Sequence, residues 1–482
     1  MNFKKYLFVG AALMSVSFFA ACSDDENEPQ NPPVEEPDEP NGDDPDEPNG
    51  DDPEGPVSLE DQWNNTNTVT WPADTVINLT EHYTVPEGKT LIIKEGVLVI
   101  ASTSGVGANH VPVEFTVNGN LYCEGTEEKP VRFSIPEADR TEANIFAGLW
   151  GGIVASETCG EMLIDHTIIE YTGGQVVEGS PAATSGVYTA GDDAYPQITT
   201  NNINGKYVIT NSILRNGWSD GIYMMGGEAI IMNNIFAANG FDGAEAVNVK
   251  AGCKVDVAGN VMFSPNTNGL KLSSSGQSEN RAQALVQAYN NTIINAGWRR
   301  DGEKGGCIYV EKNILANVFN NLMVNCKFRA MTPSFDIPND PEEGYDDDSV
   351  IDYNYYASGN QASDIVWDGE DESGVAYAWQ GYNYEHEDYN VGVVDVHSVI
   401  ATENDLKDPQ FVGFDINGVG LTDYVYNDDW DFHLQAGSPA LTGACDGTEA
   451  FAAPYFSTTG LTVNGETYTS PAVAAHYGAY GE

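Results

Sequence analysis

Positive charge is what this chain of 482 residues has least of: 20 Lys and Arg stand against 73 Asp and Glu, a net charge of −53. That balance excludes nucleic acid as a partner, because phosphate binding needs clustered cations. Anionic membrane surfaces are disfavoured for the same reason. The seven His are scattered, and none of the seven Cys forms a C-x-x-C pair, so the spacing of a zinc site is missing. Helical periodicity is missing from the body of the chain. The apolar run Leu7–Phe19 is too short to span a bilayer as a mature helix.

What is there begins with an address. Lys4 and Lys5 precede the apolar run, and Phe19-Ala20-Ala21-Cys22 follows it. This stretch resembles a lipobox, with Phe19 where Leu is commoner. The resemblance implies that residues 1–21 are a signal peptide and that Cys22 carries lipid. Ser23-Asp24-Asp25-Glu26 then resembles the acidic export tag of Bacteroidetes surface lipoproteins. It implies an outer-membrane protein, lipid-anchored and facing outward, with outer-membrane uptake partners open to it. Residues 22–56 read as a tether. They hold fifteen acids and no base, and the octapeptide DEPNGDDP occurs at 38–45 and again at 46–53. Proline and self-repulsion keep such a segment extended, with a reach of about 100 Å at ~3 Å per residue. Taking those fifteen acids and the two leader lysines out of −53 leaves −40 for residues 57–482. The remaining Cys123, Cys159, Cys253, Cys307, Cys326 and Cys445 lie mostly in apolar runs and read as small buried hydrophobes. One or two disulfides are open to them at an oxidising address.

The body repeats itself. "YVITNSILRNG" (from 207), "IIMNNIFAANG" (230), "VDVAGNVMFSPN" (255), "VQAYNNTIINAG" (286) and "LANVFNNLMVNC" (315) each place a polar residue between two apolar runs. Those residues are Ser212, Asn234, Asn260, Asn291 and Asn321, spaced by 22, 26, 31 and 30. His166 and Asn354 extend the row. Such spacings predict a solenoid of β-coils stacked in parallel, about 4.8 Å apart. A piled asparagine satisfies its buried amide on its neighbours. The expected fold is all-β, a right-handed parallel β-helix over residues 57–482. Long loops are expected at about 175–206, 334–349 and 357–395, and a closing segment at about 403–482. An antiparallel sandwich is the rival, weakened by scarce tight-hairpin signals.

"YTVPEGKTLIIKEGVLVIA" (83–101), "NGNLYCEGTEEKPVRFS" (118–134), "LWGGIVAS" (149–156), "DPQF" (408–411), "DFHLQAGSPAL" (431–441) and "HYGAY" (476–480) resemble segments of the pectate-lyase-like β-helix superfamily. That fold carries lyases, hydrolases, adhesins and binding proteins alike, so the resemblance leaves the chemistry open.

"DGIYM" at Asp220, "DGAEA" at Asp242, "NGLKL" at Asn268 and "GCIYV" at Gly306 align as strands of successive coils. Alternation then turns Tyr223, Glu245, Lys271 and Tyr309 outward. Trp218, Phe241 and Trp298 lie beside the leading polar positions, with Arg299 and Arg300 on a neighbouring bend. One reading is a sugar groove, with Tyr223, Tyr309, Trp218, Trp298, Arg299 and Asn268 as contacts. "GFDGAEAV" followed by "NGLKL" is also similar to the calcium-plus-lysine arrangement of family 9 pectate lyases. That likeness implies Ca²⁺ held by Asp220, Asp242 and Glu245, and Lys271 as the base that removes the C5 proton of a uronic acid. The cation would stabilise the charge that develops. Two departures stand out: Phe241 replaces an acid of the pattern, and Glu245 stands where Asp is expected. The plain alternative is a cross-coil ion pair between Glu245 and Lys271. Gly217-Trp218-Ser219-Asp220-Gly221 fits G-x-S-x-G, which needs a following helix where a strand is expected. Tyr353 to Tyr389 reads as an aromatic loop. The expected function is polysaccharide contact as a binding or scavenging component. A Ca²⁺-dependent uronate lyase is the second reading, and an adhesin or spacer the third.

Overall fold

The structure, a computed structural model, describes residues 59, 61–191, 194–301, 305–329, 344–363, 376–383 and 393–482. The leader, the Cys22 lipidation position and the tether lie outside these residues, as do 334–343 and much of 357–395.

Short apolar runs make strands of two to six residues, and they stack as the spacing predicts. Three all-parallel sheets result, of ten, eleven and eight strands. Each coil visits them in turn: Lys206–Thr210, Ile213–Gly217 and Ile222–Met224, then Gly227–Met232 back on the first sheet. This is a right-handed parallel β-helix. Alternate side chains turn inward into one continuous core; Ile209, Ile231, Val257, Ala288 and Val318 are fully buried in it. The six described cysteines are buried free thiols.

The bend between the first and second sheets explains the asparagines. Its second residue points inward. Asn234 Nδ2 donates to Asn260 Oδ1 (3.0 Å), Asn260 to Asn291 (2.9 Å), Asn291 to Asn321 (2.9 Å) and Asn321 to Asn354 (3.1 Å). Each Oδ1 also accepts the backbone N–H of the preceding rung. Its first residue is left-handed: Asn211, Asn233, Asn290 and Asn320 have φ of 49–57°, a region Asn tolerates. His166 belongs to this outer row, with φ of 43°, and pairs with Asp165. The inward place in its coil is Thr167, whose N–H donates to Ser212 Oγ. The expectation that His166 joins the inner ladder is corrected by one residue.

The 175–206 segment is not all loop. Ile198–Thr200 is a strand of the third sheet, between Ile153–Ala155 and Ile222–Met224. The stretch before it holds a short helix, Pro181–Thr184, pinned by the buried Glu114 carboxyl. That group accepts from Ala182 N–H (2.8 Å) and Tyr195 O–H (2.6 Å). Gln175 and Ala194, at the ends of this stretch, border the cleft described below. The closing segment lies against the first two sheets. Asp256 accepts Tyr455 N–H, Phe456 N–H and Ser470 O–H. Arg215 on the second sheet forks onto Asp428.

Candidate functional site

The third sheet sets the register of the site. Tyr223, Asn248, Lys271 and Tyr309 are directly paired on successive strands and turn outward, while Ile222, Val247, Leu270 and Ile308 turn into the core. Three of the four expected outward residues are in this row. The fourth is Asn248 and not Glu245. The bend Phe241-Asp242-Gly243 delays the strand, which runs Val247–Val249, three residues later than the alignment on Asp242 implied. Ala244 takes φ of 89° to close that bend. It is not inward, as the alignment required; Ala246 is.

The shift carries Glu245 to the leading position. Gly221 N–H donates to Glu245 C=O (3.0 Å) and Ala246 N–H to Asn268 C=O (3.2 Å), so Asp220, Glu245 and Asn268 form a ladder. Asp220 Oδ1 accepts Glu245 N–H at 2.6 Å. Asn248 Nδ2 donates to Glu245 Oε2 (3.1 Å) and approaches Asp220 Oδ2 (3.4 Å), and Asn268 Nδ2 donates to Glu245 Oε1 (3.2 Å). Burial, then the neighbouring Glu245 carboxyl, pushes Asp220 well above the usual carboxylate range. A like charge this close disfavours ionisation of the Asp220 carboxyl. The Oδ1 atoms of Asn248 and Asn268 are buried without a partner, each costing about 1–3 kcal/mol. A ligand that lets these amides turn recovers part of that.

Two lysines lie above the ladder. Lys271 Nζ is 3.4 Å from Glu311 Oε1 and 5.3 Å from the centre of the Tyr309 ring. The ion pair expected with Glu245 is therefore made with Glu311, one coil further on. Lys250 Nζ lies 5.4 Å above Tyr223. Burial, then Lys271, pulls the Lys250 ammonium below its ordinary value, against the attraction of Glu245, Asp220 and Glu311. Asn248, Lys250 and Glu311 were not picked out from the sequence. Once the register is right, alternation finds them, as Lys250 and Glu311 stand two residues beyond Asn248 and Tyr309. Asp220 and Glu245 of the ladder, with Asn248 and Lys271, open on a cleft of ≈ 510 Å³, bordered also by Trp218 and Ser219.

Other expected contacts are placed elsewhere. Trp298 is fully buried and its Nε1–H donates to Asn325 C=O (2.6 Å), so its ring is unavailable to a sugar. Arg299 spends its guanidinium on the carbonyls of Gly240 (2.7 Å) and Ser264 (2.6 Å) and lies over Phe146 and Tyr424. It clamps the bend instead of facing the cleft. Trp218 is half-buried beneath Phe241, with ring centres 4.6 Å apart. Asp242 is 79% exposed and paired with Arg300.

The Ca²⁺ set is thereby split: Asp220 and Glu245 are adjacent, and Asp242 is drawn off to Arg300. Among the described residues no group of three or more His, Cys, Asp or Glu is placed to hold a metal ion. The three-carboxylate set does not fit the ion. Ser219 is followed by the strand Ile222–Met224 and not by a helix, so the G-x-S-x-G elbow is not formed. What remains is a polar, pre-organised floor with hydrogen-bonding groups repeating at the coil spacing. Comparison with protein-family models, curated proteins and solved structures finds no match for this chain.

Proposed function

We propose that the third-sheet cleft is a polysaccharide contact surface, on a surface lipoprotein that works as a binding or scavenging component. The observation that supports this best is the register. Two polar rows, Asp220–Glu245–Asn268 and Tyr223–Asn248–Lys271–Tyr309, repeat at the strand spacing, and Asp220, Glu245, Asn248 and Lys271 from them line one cleft. That spacing, about 4.8 Å, is close to the length of one sugar residue. Carboxyl, amide and phenol groups in such a row match a chain of hydroxyls. The lysines cover one side of Tyr223 and Tyr309, so these rings supply edges and phenol oxygens more than open stacking faces.

Binding is the better reading over elimination. Lys271, the base that elimination would use, is engaged by Glu311 and Tyr309, the arrangement of a structural cation. The test is gel retardation or array binding on a polysaccharide panel, with Tyr309→Ala and Asn248→Ala variants checked for folding by circular dichroism. Binding lost in both variants supports the cleft. Binding that survives both places the contact elsewhere, and no binding to any glycan favours the spacer reading. An ultraviolet-absorbing unsaturated product formed from any uronate, and lost in Lys271→Ala, would establish the lyase instead.

A further inference from the structure

Resting on the cleft reading above, we infer that the glycan bound there is uncharged: a neutral hexose or pentose polymer, not a uronic acid or sulfated chain. Every described cation at the cleft is already engaged by this chain's own groups. Lys271 is held by Glu311 and Tyr309. Lys250 is held over Tyr223, within the field of Glu245 and Asp220. Arg300 is paired with Asp242, and Arg299 is bonded to main-chain carbonyls. An anionic substituent pairing with Lys271 or Arg300 must displace or share Glu311 or Asp242, which stays within a few ångströms of it, and one that reaches Lys250 meets an ammonium that burial and Lys271 already disfavour. The exchange trades one ion pair for another and adds a like charge.

The surroundings point the same way. Asp220, Asp242 and Glu245 line the cleft against Lys271 and Arg300, with Glu311 and Lys250 adjoining, so the cleft offers no excess of positive charge. Residues 57–482 carry −40, and such a field slows the approach of a polyanion. Carboxyl oxygens accept hydrogen bonds, and neutral sugars bring hydroxyls that donate them. A neutral chain thus meets acceptors without paying for charge, and a uronate meets acceptors with no free donor of positive charge.

The experiment is calorimetric titration of the whole protein with paired oligomers of matched linkage. Neutral galacto-, manno-, gluco- and xylo-oligosaccharides are compared with oligogalacturonate, oligomannuronate and a sulfated galactan, at low and high salt. The expected result is that a neutral oligomer binds at least about tenfold more tightly than any charged one, with affinity unchanged by salt. Glu311→Gln, which frees Lys271, is expected to narrow the preference by raising uronate affinity about tenfold relative to neutral affinity. A wild-type protein that prefers a charged oligomer, with binding lost in Asn248→Ala, overturns the inference and leaves the cleft reading standing. Uronate binding that appears only with added Ca²⁺ and vanishes with chelator also overturns it, through a bridging cation. Absence of binding in both series overturns the cleft reading itself, and the inference with it.

Discussion

The interior ladder makes a quantitative claim that one substitution tests. Asn260 Nδ2 donates to Ile231 C=O (3.0 Å) and to Asn291 Oδ1 (2.9 Å), and its Oδ1 accepts both the N–H and the amide of Asn234 (3.0 Å each). Asn260→Ala removes all four, and a fifth to Ala258 C=O (3.2 Å). Some partners keep a bond: Asn234 Nδ2 still reaches Ile209 C=O, and Asn291 Oδ1 still accepts Asn260 N–H. The Asn234 N–H loses its acceptor and Ile231 C=O loses this donor, both where no water reaches. At about 1–3 kcal/mol per orphaned buried group, plus the lost packing, the expected cost is about 3–5 kcal/mol. The control is Asn233→Ala, one residue earlier. Asn233 is exposed and left-handed, so its cost is only that of Ala at positive φ, about 1 kcal/mol. Urea unfolding followed by tryptophan fluorescence gives both values. Amide exchange locates the loss, since coils interact mainly with their neighbours and the damage should centre on 230–262. If Asn260→Ala costs no more than Asn233→Ala, the ladder is an ornament of the bend and not a support of the core.

Three further outcomes are expected. Ala244→Gly relieves the φ of 89° that closes the delayed bend and should stabilise by about 1 kcal/mol, read as a raised urea midpoint; a lower midpoint would show that the Ala244 methyl packs usefully. Asp395 is buried and raised to about 6 from 3.8, by burial first, against the pull of Arg329. A raised acid favours the folded state below its unfolded value and loses that advantage as pH climbs towards 6, so its penalty is complete above 6. Asp395→Asn should therefore gain up to ~3 kcal/mol relative to wild type between pH 4 and pH 7.5; a pH-independent difference would contradict the assignment. Arg215 joins the buried Glu170 to Asp428 of the closing segment. Its removal leaves the Glu170 charge with Arg132 and the Ser134 hydroxyl and should cost about 3 kcal/mol or more, with faster proteolysis near 428; unchanged proteolysis would show that other contacts hold that segment.

The fold was legible because its repeats are periodic in chemistry. An inward asparagine must be satisfied by its neighbours, and that requirement writes a row into the sequence. His166 was misplaced by one because inner and outer bend positions both favour small polar residues. The site was legible only in part. The dipeptides at Asp220 and Asp242 look alike, yet a bend of variable length precedes each strand, and its length leaves little periodic trace. The alignment therefore slipped by three, exchanging Asn248 for Glu245 and leaving Lys250 unread; Glu311 lies in a strand whose register was right, one alternation beyond the end of the aligned stretch. Trp298 and Arg299 failed for another reason. At a bend, one residue decides whether a side chain faces solvent or the core, and composition does not record which.

Hydrogen–deuterium exchange of the full chain, with and without a bound oligosaccharide, tests the central claim most directly. Protection is predicted at 219–225, 245–250, 268–273 and 306–311, the four stretches that the register brings side by side on the third sheet. Protection confined to the first or second sheet, or to the closing segment, would contradict it.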